Sequence, residues 1–425
     1  MAARAHAGIK TEIGGVPVAD LVRDFGTPTF VYEARRIEAQ IETLRGFDVI
    51  RYAQKANSNL AILDLCRRAG VLVDAVSAGE IHRALAAGFP ARGDPPPIVY
   101  TADIFDRDAL EQVAEHELPV NCGSPDMIDQ YAELRRAHPA LRSEITLRVN
   151  PGFGHGHSRK TNTGGDHSKH GIWHEQLGDA VARARGAGLE VTGVHVHIGS
   201  GADMEHLALV AGAATSFARV VGPSVRSISA GGGLPVPYRR EDPAIDVAAY
   251  QSVWDAARRE LEATLGHAVR LEIEPGRYLV AEAGWLVAEV RVVKQMGVNT
   301  FYLVDAGFNN LARPILYGAY HPMALAPRGA RGPLRDVVVG GPLCESGDIF
   351  TQDEEGFVRH QALPEARVGD YLLIACAGAY AFTMSSNYNS KPFAAEVLVS
   401  DGKARLARAR QTLQDLVRGE QIPTG

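Results

Sequence analysis

From residue 49 to residue 277 the chain alternates short apolar runs with longer stretches in which apolar residues recur every three or four positions. The short runs, at 49–55, 71–77, 98–103, 119–123, 145–150, 191–199, 227–232 and 270–277, predict eight strands. Between them the stretches at 79–88, 106–116, 125–138, 177–187, 206–221 and 247–265 carry helical spacing. Eight strand-then-helix repeats over roughly 230 residues predict an α/β fold, a (β/α)8 TIM-like barrel, in preference to an open doubly wound sheet. In the last run Leu271 and Ile273 alternate with Arg270, Glu272 and Glu274, so its two faces differ in character.

After Arg277 the pattern changes to β-type runs at 285–293, 301–304, 337–339, 371–375 and 395–399, which predict a separate C-terminal antiparallel β domain over 278–425. Residues 8–18 offer one more strand. Residues 406–419, with Arg and Leu at helical spacing, predict a short surface helix.

Composition narrows the function classes. The chain has 425 residues, 46% hydrophobic and 22% charged, with a formal net charge of −6, and no basic stripe that would suit nucleic acid. The first residues lack a signal-peptide core and no apolar run approaches the roughly 18 residues of a membrane span, so a cytoplasmic protein is expected. The four cysteines, Cys66, Cys122, Cys344 and Cys376, form no C-x-x-C pair and are expected as free thiols.

The polar residues then give the fold a direction. Lys55, Ser77, Asp103, Asn121, Asn150, His197, Gly231 and Glu274 each fall near the C-terminal end of a strand, the face on which barrel enzymes build their sites. A lysine facing inward beside apolar neighbours loses hydration, so its pKa is expected to fall and its amine to become a nucleophile. Gly231-Gly-Gly233, with Gly199-Ser200-Gly201 on the preceding loop, can bring backbone N–H groups close to an anion. Glu274-Pro-Gly276-Arg277 sets a carboxylate and a guanidinium at one strand end. His195 and His197 share a strand face, with no third ligand there to suggest a metal. An amine, a phosphate cradle, a flat ring and an acid are together what pyridoxal 5'-phosphate requires.

Tyr52-Ala-Gln-Lys55-Ala-Asn-Ser-Asn59, His195-Val-His197-Ile-Gly-Ser-Gly201, Gly231-Gly-Gly-Leu234 and Glu274-Pro-Gly-Arg277 resemble the motifs of the barrel-type (fold III) pyridoxal-phosphate decarboxylases, which include the ornithine, arginine and diaminopimelate decarboxylases. Asp305-Ala-Gly-Phe-Asn-Asn-Leu-Ala-Arg313-Pro-Ile-Leu-Tyr317-Gly, Gly341-Pro-Leu-Cys344-Glu345-Ser-Gly-Asp348 and Gly378-Ala-Tyr380 narrow the resemblance to the diaminopimelate branch, over nearly the whole chain. Gln54 and Lys391 depart from the commoner pattern, which has Leu and Arg there.

The resemblance implies decarboxylation of meso-diaminopimelate to L-lysine and carbon dioxide, the last step of lysine biosynthesis. It makes Lys55 the Schiff-base lysine and His197 the ring stacked on the cofactor. Ser200, Gly231, Gly232, Gly233, Gly276 and Arg277 surround the cofactor's phosphate end, and Glu274 pairs with the pyridinium. Arg277, Arg313, Tyr317 and Glu345 hold the substrate, Tyr380 lies against cofactor and substrate, and Cys344 handles a proton. A thiol with a pKa of about 8.5 suits that last role. The resemblance further implies a homodimer with active sites shared across its interface, Cys344 and Glu345 arriving from the other chain. It also places residues 1–25 with the β domain and the barrel at 26–277. An ornithine- or arginine-type decarboxylase and a non-catalytic cofactor-binding homologue are the alternatives. The polar loop at 152–168, with His155, His157 and His167, and His170 beyond it, is expected to act as a lid rather than a metal site.

Overall fold

The computed structural model describes residues 8–154, 163–199, 203–329 and 332–423. They form two compact units, one of residues 38–236 and 244–279, the other of the remaining segments through residue 37, 237–243 and from 280 onward.

In the first unit eight parallel strands close on themselves: Val49–Ala53, Leu72–Ala75, Ile98–Ala102, Val120–Cys122, Glu144–Asn150, Glu190–Val196, Ser227–Ser229 and Arg270–Ile273. The closing pair aligns Glu272 with Val49 and Ile273 with Ile50. Each run supplies a strand, although several are shorter than the apolar run itself. The last strand stops at Ile273, just short of Pro275, which has no N–H to give a ladder. The helices start where a polar side chain can cap them. Asn59, Ser77, Asp106, Ser124, Asp203 and Asp246 each accept a hydrogen bond from a backbone N–H in the first turn of the helix that follows. Helix Val247–Leu265 shows the packing logic: Tyr250, Trp254 and Leu261 lie on one face and are fully buried.

The barrel interior is unusually polar for this architecture, whose lumen is ordinarily packed with branched apolar side chains. Arg51 and Glu272 meet inside it, Nε to Oε2 at 2.7 Å. Glu272 and Glu274 are the two acids of the alternating last run, so that alternation is the sequence trace of a polar lumen.

The second unit is a sheet in the order Gln361–Pro364, Leu334–Gly340, Asn299–Val304, Gly284–Met296, Thr29–Glu33, Ala395–Ser400 and Lys403–Arg408, with Tyr371–Ile374 also pairing Gly284–Met296 and carrying Met323–Ala326 on its other side. It is mostly antiparallel, with two parallel pairs: Asn299–Val304 with Leu334–Gly340, and Thr29–Glu33 with Ala395–Ser400. Thr29–Glu33 pairs here rather than in the barrel, which differs from a barrel starting at residue 26. Its burial at four of five positions suits a central strand. Inside the sheet Glu396 is fully buried, accepting from Tyr32 Oη at 2.7 Å and pairing with Arg408.

Two further expectations are corrected. Residues 8–18 are not one strand: Glu12–Ile13 and Val16–Pro17 pair around Gly14 and Gly15, both at positive φ, and helix Val18–Phe25 follows. That helix turns Val18 and Leu21 into a core with Val31, Trp285 and Leu373. The tail is not a helix from 406: Lys403–Arg408 is an edge strand, and only Leu413–Leu416 is helical, behind a Thr412 capping box. Among the described residues no helix is long and apolar enough to cross a membrane.

Candidate active site

Strand Val49–Ala53 ends in a single 3-10 turn, Gln54–Ala56, which carries Lys55. The turn is clamped on both sides. Ala53 N–H donates to the carbonyl of Pro275 at 3.1 Å, Tyr52 Oη to that of Asn57 at 2.8 Å, and Asn57 Oδ1 accepts from Asn59 N–H at 3.1 Å. Gln54, Ala56 and Asn57 are buried, but Lys55 itself is exposed. The expectation of a lysine buried among apolar neighbours is therefore corrected: its side chain is exposed at the end of the strand.

Gly231, Gly232 and Gly233 follow strand Ser227–Ser229. A Cβ on Gly231 would lie 2.5 Å from the carbonyl oxygen of Val196, one on Gly232 2.5 Å from that of Glu274, and one on Gly233 2.3 Å from that of Gly199. Gly231 and Gly233 also have φ of 60° and 101°. The turn can only be bare backbone, which is what close approach to an anion needs. Gly232 N–H donates to His197 Nδ1 at 3.2 Å, which fixes that ring and leaves its proton on Nε2. Burial, then the charges of Arg148 and Lys55, holds His197 well below the usual histidine range, so it is a neutral ring. Gly276 fits tightly beside the lysine turn, where a Cβ would meet the Ala53 carbonyl oxygen at 3.1 Å. Arg277, buried, opens the one-turn helix Arg277–Val280. Ser200 lies outside the described residues.

Glu274 is deeply set. Its Oε2 is 2.8 Å from His195 Nε2, its Oε1 accepts from Ser229 Oγ at 2.9 Å, and its own N–H donates to Gly231 O at 2.7 Å. Burial alone would raise its pKa. The charge and hydrogen bond of His195, with the hydroxyl of Ser229, outweigh burial and hold the carboxyl below its ordinary range. Asp74, buried nearby, is pushed the other way, first by burial and then by the charge of Glu274. Burial pushes Glu80 up to about 7. Two acids beside the lysine turn thus hold their protons to higher pH than Glu274 does.

Polar residues at other strand ends anchor loops. Asn150 donates to the carbonyls of Gly165 and His170 and accepts from the N–H groups of Gly152 and Gly165. Asp103 accepts from Gly171 N–H at 2.8 Å and binds His170 Nδ1. These bonds fix both ends of the expected lid. His155 and His157 lie outside the described residues.

The remaining expected site residues belong to the β unit. Arg313 is buried, its Nε–H donating to His321 Nε2 at 3.3 Å, and its guanidinium lies 5.5 Å from the Tyr238 ring and 5.9 Å from that of Tyr317. His321 Nδ1 donates to the Ala375 carbonyl at 2.9 Å, so its Nε2 is left as the acceptor that Arg313 needs. Cys344 and Glu345 are exposed on a loop held by Asp348, which accepts from the N–H groups of Phe308 and Leu343. Cys344 N–H donates to Asn389 Oδ1 at 2.7 Å. Tyr380 is half-buried at φ 55°, a conformation unusual outside glycine. Cys66 and Cys122 are buried, and burial pushes both thiols up to about 12, as suits packing residues. Sequence reading missed His195 as a partner of Glu274, along with Ser229, Asp74, His321 and Asn389. The one signal was the shared face of His195 and His197.

Comparison with known proteins agrees with this geometry. Residues 34–281, more than half of the chain, match the family described as "Pyridoxal-dependent decarboxylase, pyridoxal binding domain". The chain is 53% identical to the diaminopimelate decarboxylase of Streptomyces coelicolor over 416 residues, covering 97% of this chain and 93% of that one. It is 51% identical to that of Escherichia coli K12 over 411 residues, covering 96% and 97%. A crystal structure of diaminopimelate decarboxylase superposes with a TM-score of 0.89 at 51% identity, covering 94% of each chain. An acid hydrogen-bonded on both oxygens, a bare glycine turn and an exposed lysine at one barrel mouth, with this likeness over nearly the full length, place the chain in the diaminopimelate decarboxylase family of pyridoxal-dependent decarboxylases.

Proposed function

We propose that the chain converts meso-diaminopimelate to L-lysine and carbon dioxide, with pyridoxal 5'-phosphate held at the barrel mouth. The observation that carries this reading is Glu274, a carboxylate only 11% exposed and hydrogen-bonded on both oxygens, beside a glycine turn that tolerates no side chain. When bound, the cofactor supplies a conjugated, cationic ring that takes up the electron pair left as carbon dioxide departs. Glu274 holds the proton on the ring nitrogen, since a carboxylate accepts from a pyridinium and stabilises its charge. The bare turn Gly231–Gly233 lets the phosphate come close, and Ser200, Gly276 and Arg277 would surround it with that turn. His197, neutral and fixed by Gly232, is the residue that would stack on the ring. Lys55, exposed at the end of a clamped turn, is the amine that would hold the cofactor's aldehyde end.

Arg313 grips a substrate carboxylate, oriented through His321, Glu345 takes the distal ammonium, and Arg277 and Tyr317 complete the set that would hold the substrate. Cys344 returns a proton to the substrate carbon, and Tyr380 packs on cofactor and substrate. In the homodimer proposed here, Cys344 and Glu345 of the partner subunit serve each site. The test is to incubate the cofactor-loaded protein with meso-diaminopimelate, ornithine and arginine in parallel, measuring carbon dioxide and identifying the product. L-lysine from diaminopimelate alone is expected. Borohydride should fix a pyridoxyl group at Lys55, and Lys55→Ala should abolish both results. Carbon dioxide from another substrate, or fixation at another residue, would overturn the reading.

A further inference from the structure

His195 and His197 flank Val196 and point to one face of the same chain segment, yet they bond differently. His197 accepts from the glycine turn, whereas His195 lies beneath it, 2% exposed, against Glu274. A carboxylate oxygen only accepts, so His195 Nε2 carries the hydrogen and donates. His195 Nδ1 is buried and, among the described residues, has no hydrogen-bond partner. His195 and Glu274 both line a polar cavity of about 310 Å³ inside the barrel, which Arg51, Asn121, Ser229 and Glu272 also line.

A carboxyl with so little contact with water, 11% exposed, tends to take up a proton. The charged and titratable groups that face the pair are Asp74 from strand Leu72–Ala75, Lys55 from the lysine turn, Arg148 from strand Glu144–Asn150 and His197, with Arg51 and Glu272 across the cavity. Asp74 works against an ionised Glu274, and the carboxylate meets one donor on each oxygen, Ser229 and His195. We propose that His195 is a positioning residue for Glu274, donating from Nε2 to keep that carboxylate ionised and aimed at the ring nitrogen of the cofactor. An imidazole suits this place because its ring N–H donates to the carboxylate oxygen that the Ser229 hydroxyl leaves open. A polar cavity behind it is roomy enough for water, to which Nδ1 can hydrogen-bond.

The inference rests on the reading in which Glu274 pairs with the cofactor ring, and the test separates the two. Full-length wild type, His195→Leu and His195→Gln are stripped of cofactor, their thermal unfolding is recorded, and each is titrated with pyridoxal 5'-phosphate. Infrared difference spectra of each against its Glu274→Gln counterpart report whether Glu274 is protonated. His195→Leu should bind the cofactor about ten- to a hundredfold more weakly, the range a lost hydrogen bond to a charged group covers. It should also show a protonated-carboxyl stretch that vanishes with Glu274→Gln. His195→Gln, whose amide N–H reaches the place of Nε2, should bind nearly as wild type and show no such stretch. Wild-type affinity and no stretch in His195→Leu would overturn the inference, as would a folded His195→Gln that matches His195→Leu. Should His195→Leu not fold, His195→Asn, too short to reach Glu274, takes its place with the same expectations. A wild type that binds no cofactor sinks the functional reading instead, while the infrared result on cofactor-free protein still decides the role of His195.

Discussion

Removing Arg51 should expose how the polar lumen of the barrel is balanced. Its guanidinium donates to Glu272 Oε2 at 2.7 Å and to the Pro96 carbonyl at 2.6 Å, and the two side chains are only 4% and 11% exposed. Breaking a buried pair from one side costs about 3–5 kcal/mol, because the survivor is a charge without compensation. Here the pair lines a cavity of about 310 Å³, large enough for water to approach the orphaned carboxylate, so the lower end applies. Arg51→Met should therefore cost about 3 kcal/mol, which lowers amide protection in strands Val49–Ala53 and Arg270–Ile273 by roughly 150-fold. Arg51→Met with Glu272→Leu removes both charges and should return to within about 1 kcal/mol of wild type. Native-state hydrogen exchange on the four proteins of the cycle reads this directly. If either single variant costs less than about 1 kcal/mol, or the double variant loses the sum of the singles, the pair is not a mutually dependent buried unit.

Glu80, pushed up to about 7 by burial against an ordinary 4.5, should make the barrel unit sensitive to pH. Its folded pKa lies above the unfolded one, so its contribution is full below pH 4.5 and fades as pH rises through 7. Glu80→Gln should flatten that loss between about pH 5 and about pH 8 in denaturant midpoints, and an unchanged slope would refute it. Gly232→Ala puts a Cβ 2.5 Å from the Glu274 carbonyl oxygen, an overpacking cost of about 1–3 kcal/mol that should appear as weaker cofactor binding. Gly178→Ala, with nothing within 4 Å, is the neutral control. Arg313→Ala should lower kcat/KM by about 30-fold or more, mainly through KM, if its guanidinium holds a substrate carboxylate. His321→Phe should move KM the same way by less, and KM values unchanged in both would remove the pair from substrate binding.

Local chemistry made most of the barrel legible. Eight apolar runs with capping side chains behind them need no distant partner to declare themselves, and the glycine turn and Glu274 stand in contiguous motifs. What escaped depended on residues far along the chain. Lys403–Arg408 has arginine and leucine at helical spacing, but the open edge of Ala395–Ser400 makes it a strand. Val18–Phe25 follows a turn that only Gly14 and Gly15 permit, and that turn breaks the extended run expected there. His195 meets its partner 79 positions away, so the sequence shows a histidine on a strand and no reason for it. The exposure of Lys55 likewise follows from a one-turn helix too short to leave a periodic trace.

The placement of Thr29–Glu33 between Gly284–Met296 and Ala395–Ser400 bears on how the protein is made. On the ribosome the barrel strands are all available once Ile273 has emerged, and they can close in order. Thr29–Glu33, among the earliest segments synthesised, gains its second neighbour only near the end of translation, after some 360 residues have been added. A nascent chain stalled before Ala395 would therefore carry a complete barrel and, elsewhere in the chain, a strand with one bare edge, the kind of edge on which chaperones and aggregates compete.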